Sequence, residues 1–392
     1  MKKTNINAQN VEYIAYRFIG YPSNGTVGFL SSYIGACRFL WNQFVSDSRE
    51  YYKQTGLCFK KTPAAYKKEE GLEWLKQIDS LALANVQLNY EKALKAFFNK
   101  TSGYPEFKKK GLCKNSYTTC VSNSDKPNLR LDANMLTLPK IKEPIRLKLH
   151  RKIRKGGILK SCTVIHEQNG KWFFSLLYEY PKTERENVLP DNSEFTHIGL
   201  DMSLPNLYVD SHGESPKYEK VYAKNQERLS REQRKLSHMV KGSNNYKKQK
   251  QYLAKLYSRT KNQRCDMLHK ISKSLTDNYV LISIEDLNMK GMSQALNLGK
   301  SVHDNAWGMF THMLEYKQLR KGHYLVRIDK WFPSSKTCSC CGYKNRELKL
   351  SDRIYICPYC GAVMDRDGNA AINIDREGLR ILCEALNIQP AA

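Results

Sequence analysis

The spacing of hydrophobic positions changes several times along the chain, and each change predicts an element. Residues 11–18 (VEYIAYRF) mix β-branched and aromatic side chains and stop at Gly20-Tyr21-Pro22, which predicts one strand and a turn. From about Thr26 the period becomes helical, through Phe29, Tyr33, Phe39 and Leu40, then Leu72, Leu75 and Ile78, then Leu81, Leu88, Ala93, Leu94 and Phe97. Residues 26–100 are therefore expected to hold three or more helices. Alternation returns over 117–181, where WFFSLLYEYP follows Asn169-Gly170 as the second arm of a hairpin. The economical arrangement joins these strands with the first one into a small barrel, with the helices inserted into it.

A second unit begins near Thr196. THIGLDMS reads as a buried strand and LYVDSHGE as its partner, which places Asp201 within a hairpin. Two long helices follow, about 220–240 and 246–276, broken at Gly242-Ser243-Asn244-Asn245. The run Tyr279-Val280-Leu281-Ile282-Ser283-Ile284-Glu285 is apolar without alternation, the mark of a strand covered on both faces. A helix at about 303–321, a strand HYLVRID and a terminal helix starting near Asp367 complete the pattern.

Charge narrows the function. Of 392 residues, 64 are Lys or Arg and 38 are Asp or Glu, a formal net charge of +26. So large a surplus calls for a polyanion, nucleic acid first and anionic membrane second. The membrane reading fails, because no run approaches the ~20 apolar residues of a spanning helix and MKKTNINAQN lacks a signal-peptide core. Residues 217–275 carry 17 Lys or Arg against 4 acids while keeping an apolar stripe, so one face packs and the other can meet phosphate. Arg231, Arg234 and Lys235 are the candidates there. Basic and aromatic residues also interleave in Tyr104-Pro105-Glu106-Phe107-Lys108-Lys109-Lys110. That stretch suits a surface that tracks a backbone and stacks bases, or else a solvated loop with one core Phe.

Twelve cysteines without a secretion signal argue for a reducing compartment, where spaced pairs hold metal rather than form disulfides. Cys338/Cys341 and Cys357/Cys360 are two Cys-x-x-Cys knuckles fifteen residues apart, the spacing of a ribbon closed by one tetrahedral Zn²⁺. Cys340 is a possible competitor of shorter reach, and the other seven are read as buried or incidental. Three acids sit at element ends: Asp201, Glu285 and Asp367. Singly they read as a turn aspartate, a strand-end carboxylate and a helix N-cap. Together, at strand ends of an α/β layer, they form a hard oxygen site for two Mg²⁺ or Mn²⁺ ions, which could activate a water and stabilise the leaving oxygen of a phosphodiester, and in a basic protein such a site implies a nuclease.

These segments carry a resemblance. GLDMSLPNLYVDSHGE, LISIEDLNMKGM and DRDGNAAINI resemble the three successive RuvC motifs of the transposon-encoded TnpB family, which is related to type V CRISPR effectors. WFPSSKTCSCCG...ICPYCG resembles that family's zinc-ribbon insertion, and the N-terminal half matches its wedge and recognition parts more loosely. The resemblance implies an α/β chain with an RNase H-like (RuvC) nuclease domain at 190–335 and 361–392 and an inserted zinc ribbon at 336–360. It also implies a β-barrel-like wedge domain at 1–25 and 115–185, interrupted by a helical recognition insert at 26–114.

It further implies an RNA-guided DNA endonuclease that uses guide RNA to find target DNA beside a short flanking motif, in the cytoplasm of a bacterial or archaeal cell and associated with the nucleoid. Asp201, Glu285 and Asp367 then correspond to the catalytic Mg²⁺ ligands, with Asp286 and Asp365 in second place, and Cys338, Cys341, Cys357 and Cys360 to the Zn²⁺ ligands. Nucleic-acid contacts are expected at Asn85, Tyr104, Lys108 and Lys109, with Asn85 and Tyr104 nearest the flanking motif. Ser203 stands where the family often has Gly, a small residue in either case. The alternatives are an RNA-guided regulator that binds without cutting and, ranked last, a transposase.

Overall fold

The computed structural model describes residues 11–122, 127–182, 189–190, 194–287, 306–349 and 352–388. Two compact units divide the chain, Met1–Thr183 and Glu184–Ala392.

In the first unit, strand β1 (Val11–Tyr21) pairs antiparallel with β7 (Trp172–Pro181) from Val11↔Pro181 to Gly20↔Trp172. It also pairs at its end with β5 (Ile145–Lys148). β2 (Ser116–Cys120), β3 (Arg130–Asp132), β4 (Met135–Thr137) and β6 (Ile158–His166) complete a seven-stranded sheet in the order β2-β6-β7-β1-β5-β4-β3. The expected barrel is thus a curled sheet, with β2 and β3 at the ends of its hydrogen-bonded order. The β6–β7 hairpin turns on Gln168 and Asn169, and Gly170 closes it at φ +84°.

The helical stretch starts earlier than its hydrophobic period. Ser23 is extended and its Oγ accepts from Thr26 N at 3.2 Å, so helix α1 runs Asn24–Thr55. α2 (Pro63–Tyr66), a 3₁₀ turn (Glu73–Gln77) and α3 (Ser80–Phe98) follow. Asp79 caps α3, accepting from Leu81 N at 3.0 Å, and its other oxygen accepts from Thr119 of β2. Helices and strands share one core, in which Phe18, Leu40, Phe44, Leu83, Leu147 and Phe174 are fully buried.

The second unit has a four-stranded sheet in the order β11-β10-β8-β9. β8 (His197–Ser203) pairs antiparallel with β9 (Leu207–Asp210) and parallel with β10 (Leu281–Glu285), which pairs parallel with β11 (Tyr324–Ile328). The basic helices are α4 (Val221–Ser237) and α5 (Asn244–Asn278), the latter capped by Ser243 Oγ on Tyr246 N at 3.1 Å. Leu268 and Leu275 of α5 join Phe310 and Leu314 of α6 (Trp307–Lys321) in one cluster with Ile198, Leu200, Ile282 and Ile284 of the sheet. The helix expected from about 303 is seen from Trp307, and residues 303–305 lie outside the described ones. Among the described residues no helix is long and apolar enough to cross a membrane.

The terminal helix α7 (Arg366–Leu386) also packs on this sheet, and two glycines set how closely. A Cβ on Gly199 of β8 would lie 2.2 Å from Ala371 O and 2.5 Å from Asp375 N. One on Gly378 of α7 would lie 1.9 Å from Ser283 Oγ and 2.4 Å from its Cβ. A mid-helix Gly costs about 1 kcal/mol relative to Ala. The contact with buried Ser283 explains why one stands at 378. Overpacking of this kind costs about 1–3 kcal/mol where side chains can give way, and more against rigid backbone. Gly199→Ala is therefore expected to lower the midpoint of thermal unfolding more than Gly378→Ala, and Ser283→Gly should restore most of the Gly378→Ala loss. Melting curves of the three variants and the double variant check both statements.

Candidate active site and metal centre

Asp201 and Glu285 emerge from neighbouring strands at one level. The β8–β10 register ends at Leu200↔Ile284, and each acid is the next residue of its strand. Asp367 comes from the other layer, in the first turn of α7. Its reading as an N-cap is corrected by the structure: Asp365 is the cap, accepting from Gly368 N at 2.8 Å through Oδ1. Asp286, the other neighbouring acid, is exposed beyond the end of β10.

Electrostatics tie the three acids together. The Asp201 carboxyl is pushed well above the usual 3.8, by burial first and then by the negative charges of Glu285 and Asp367, while Arg366 pulls it the other way. Asp201 nevertheless keeps some accessible surface. Glu285 is also raised by burial, against the opposing effect of a hydrogen bond that Ser334 Oγ donates to its Oε1 at 2.5 Å. Like charges held together out of water repel, and a cation between them would relieve both costs. The donor set, carboxylate oxygens with no sulfur or imidazole, fits Mg²⁺ or Mn²⁺.

The thiols converge more tightly. Among the described residues, Cys338, Cys341, Cys357 and Cys360 form the one group whose ligand atoms all lie within 4.8 Å of one another. Cys338 Sγ is 3.7 Å from Cys360 Sγ, and Cys341 Sγ is 3.6 Å from Cys357 Sγ. A tetrahedral Zn²⁺ with Zn–S bonds of about 2.3 Å places its sulfurs about 3.8 Å apart, so the cluster fits that ion. Cys340 is exposed and stands outside the cluster, which removes it as a competitor.

The knuckles repeat one set of bonds. Gly342 N donates to Cys338 O and Cys338 N to Tyr343 O, while Gly361 N donates to Cys357 O and Cys357 N to Ala362 O. Strands β12 (Ile354–Ile356) and β13 (Val363–Asp365) pair antiparallel, so the ribbon's sheet runs past residue 360 to the first residue before α7.

Three residues missed in the sequence join this ribbon to the helix. Asn369 accepts from Ser339 N at 2.8 Å through Oδ1 and donates to Thr337 O at 2.8 Å through Nδ2. Asn373 Nδ2 donates to Ser334 O at 2.8 Å and to Thr337 O at 2.7 Å. Arg376 donates to Ser339 O. Asn369 and Asn373 are buried. Polar residues at i, i+4 and i+7 on an otherwise apolar helix face were the available signal. A further tie joins His197 Nδ1 of β8 to Asp375 Oδ2 of α7 at 2.9 Å.

The expected nucleic-acid residues occupy varied settings. Asn85 donates to Leu81 O at 2.9 Å and to Cys120 Sγ at 3.2 Å, and lines a cavity of about 260 Å³ with Arg38, Trp41 and Lys108. Lys108 is half-buried, its Nζ 3.5 Å from the centre of the Trp41 ring, and burial pulls its pKa below the usual lysine value. It packs as much as it reaches. Tyr104 meets Phe97 edge-on at 5.3 Å with Arg49 over its ring, so it is built into the first unit, while Lys109 is exposed. Arg231, Arg234 and Lys235 are exposed on α4. Lys235 and Arg231 lean on Glu232 Oε1 at 3.1 and 3.6 Å. Glu232 itself accepts from Gln249 of α5 at 2.8 Å and so clips the basic hairpin together. A groove of about 420 Å³ between α4 and α5 is lined by Lys224, Arg228, Arg259 and Lys270 among others.

Comparison with known proteins shows the family. Residues 175–296 match a family model described as "Probable transposase", and 307–374 match "Cas12f1-like, TNB domain". Residues 13–56 match one described as "Helix-turn-helix domain", although here they form β1 and the single helix α1. A Streptomyces pristinaespiralis protein provisionally named an RNA-guided DNA endonuclease is 33% identical over 93% of this chain and 89% of its own length. The Escherichia coli protein InsQ, named in the same provisional way, is 29% identical over 94% of this chain and 93% of its own. Among solved structures, the Cas12f1-sgRNA-target DNA complex aligns over 93% of this chain and 99% of its own, with a TM-score of 0.56. At 12% identity that likeness speaks for the fold alone. The chain belongs to the TnpB family, whose relatives carry the name RNA-guided DNA endonuclease.

Two outcomes test the site's chemistry. Purified chain should carry zinc at one ion per chain, Cys357→Ser should lose the ion together with protection of the ribbon amides from hydrogen exchange, and Cys340→Ser should keep both. Metal content by atomic emission and an exchange map decide this. The second concerns Asp201. Because its pKa is raised on folding, the protonated carboxyl's stabilisation is full below the unfolded value of 3.8 and is lost as pH rises through the folded value. Metal-free Asp201→Asn is therefore expected to melt several degrees above the parent at pH 8 and to match it at pH 4. Mg²⁺ should raise the parent's midpoint at pH 8 and leave the variant's unchanged. Equal midpoints and equal Mg²⁺ responses would contradict the acid cluster described here.

Proposed function

We propose that this chain is an RNA-guided DNA endonuclease that hydrolyses target DNA at Asp201, Glu285 and Asp367. The observation that carries the reading is the elevation of the Asp201 carboxyl by burial and by the charges of the other two acids, at the end of a mixed sheet in a chain of net charge +26. Acids are costly to gather in a protein that will meet phosphate unless cations join them. The second unit is read as an RNase H-like (RuvC) nuclease with an inserted zinc ribbon, and the curled sheet and helices of the first unit as wedge and recognition parts. Family membership supports guide RNA and target DNA as the partners.

Asp201, Glu285 and Asp367 would hold Mg²⁺ or Mn²⁺, which supplies charge neutralisation at the scissile phosphate and a water acidic enough to act as nucleophile. The chain's own part is to hold three carboxylates from two layers at fixed separation. Asp201 and Glu285 are fixed by the parallel register of β8 and β10, and Asp367 by the seating of α7. Arg366, whose charge reaches Asp201, lowers the cost of the ionised state there, while its guanidinium donates to Asp352 O at 3.2 Å. The ribbon would hold Zn²⁺ in a structural role, on the chain just ahead of Asp367. Asn85 and Tyr104 remain the proposed neighbours of the flanking DNA motif. The exposed Lys109, Arg231, Arg234 and Lys235 are proposed to contact phosphate, with half-buried Lys108 a packed member of the same set. The cytoplasm and its nucleoid are the proposed site of action.

The test is reconstitution. Chain co-purified with its RNA should cut DNA matched to that RNA in Mg²⁺ and leave unmatched DNA whole. Asp201→Ala, Glu285→Ala and Asp367→Ala should each lower the rate by at least ~10³-fold while keeping RNA and zinc. Uncut matched DNA, or an Asp201→Ala chain that cuts like the parent, would end this reading. Guided binding that persists at parental strength without any cutting would favour a regulator instead.

A further inference from the structure

Between the cysteine cluster and the acid cluster lies a short segment, Pro333 to Ser339, that is held from both sides. On the ribbon side, Ser339 stands between Cys338 and Cys341, and its N–H is fixed by Asn369 at 2.8 Å. In the middle, Thr337 N and Oγ1 both donate to Pro333 O, at 3.0 and 2.9 Å, which folds the segment into a closed turn. Its carbonyls at 334 and 337 are taken by Asn373 and that at 337 also by Asn369. On the acid side, buried Ser334 turns its hydroxyl onto Glu285 Oε1 at 2.5 Å.

We propose that Ser334 is a positioning residue for Glu285, and that the turn Pro333–Thr337, clamped by Asn369 and Asn373, conveys the ordered state of the cysteine knuckle to the acid cluster. The inference rests on the reading of Asp201, Glu285 and Asp367 as ligands of a divalent cation. Glutamate has three side-chain torsions, and Glu285 is the last residue of β10. The hydroxyl bond to Oε1 limits how the carboxylate can turn about those torsions. Hydrogen bonds to a ligating carboxylate typically change metal affinity or activity by about 10–100-fold when removed. The geometry also explains two buried asparagines on an apolar helix face: they satisfy the carbonyls of a turn that would otherwise be free to shift Ser334. No charge transfer or titration is involved; the effect is one of position.

The experiment uses the full chain as purified, with Mn²⁺ as the probe and electron paramagnetic resonance titration as the readout, alongside zinc content and melting midpoint. Ser334→Ala is expected to keep its zinc and to melt within a few degrees of the parent. It should also bind Mn²⁺ about 10-fold more weakly, and Ser334→Thr should recover most of that affinity. Asn373→Ala should weaken Mn²⁺ in the same direction although it touches no acid. Ser334→Ala with parental Mn²⁺ affinity overturns the proposal. Loss of zinc from Ser334→Ala also overturns it, because Ser334 would then be a structural residue of the ribbon. A parent that binds no Mn²⁺, or an Asp201→Asn chain that binds it as the parent does, would mean instead that the reading of the acids themselves has failed.

Discussion

The seating of α7 on the sheet of the second unit is the contact on which the candidate chemistry depends. Gly199 and Gly378 remove the two side chains that would separate helix from strands, and the backbone of Ala371 and Asp375 occupies the space that a Cβ would need. Two of the three acids are given by strand register alone. The third arrives only because the helix lies this close and in this rotation, with Asp365 taking the cap and Asp367 left over on the first turn. His197 and Asp375 hold the same seam from the rim, and Asn369 and Asn373 hold it at the ribbon. Close packing makes such a seam nearly all-or-none, since a shift of even a methyl group is felt across it.

From that contact the placement of the ribbon acquires a physical reason. A four-sulfur cluster is a rigid object that needs no hydrophobic core, so it can brace a segment too short to brace itself. Here it lies on both sides of the chain's return to the sheet: the first knuckle follows Ser334, which bonds Glu285, and the second precedes Asp367 by seven residues. Both flanks of the candidate acid site are thereby tied to one four-cysteine cluster, and α7 starts shortly after it.

Charge is distributed to match. The acids gather where burial raises their cost, while the surplus of Lys and Arg lies on exposed faces such as α4 and α5, where water solvates it and phosphate can replace water. Not every basic residue is free for that purpose. Lys108 lies over Trp41 within the first unit, and Lys235 and Arg231 share Glu232 with the clip between the helices. Sequence proximity to an aromatic or basic run does not separate a lysine that packs from one that reaches out.

The sequence by itself determined whatever depends on short-range pattern. Periodicity placed β1, the β6–β7 hairpin, the basic helices and buried β10, because burial on one face or on two leaves a signature within ten residues. Cysteine spacing was enough for the ribbon, since two knuckles can close on one ion whatever surrounds them. Motif resemblance named the three acids. Tertiary structure alone decided which aspartate caps α7, that the knuckle is bonded to Asn369 and Arg376 and the turn before it to Asn373, and that Ser334 reaches Glu285. Those facts depend on where distant segments meet and on how near two backbones come. A glycine chosen for close approach looks, in a sequence, like any other glycine.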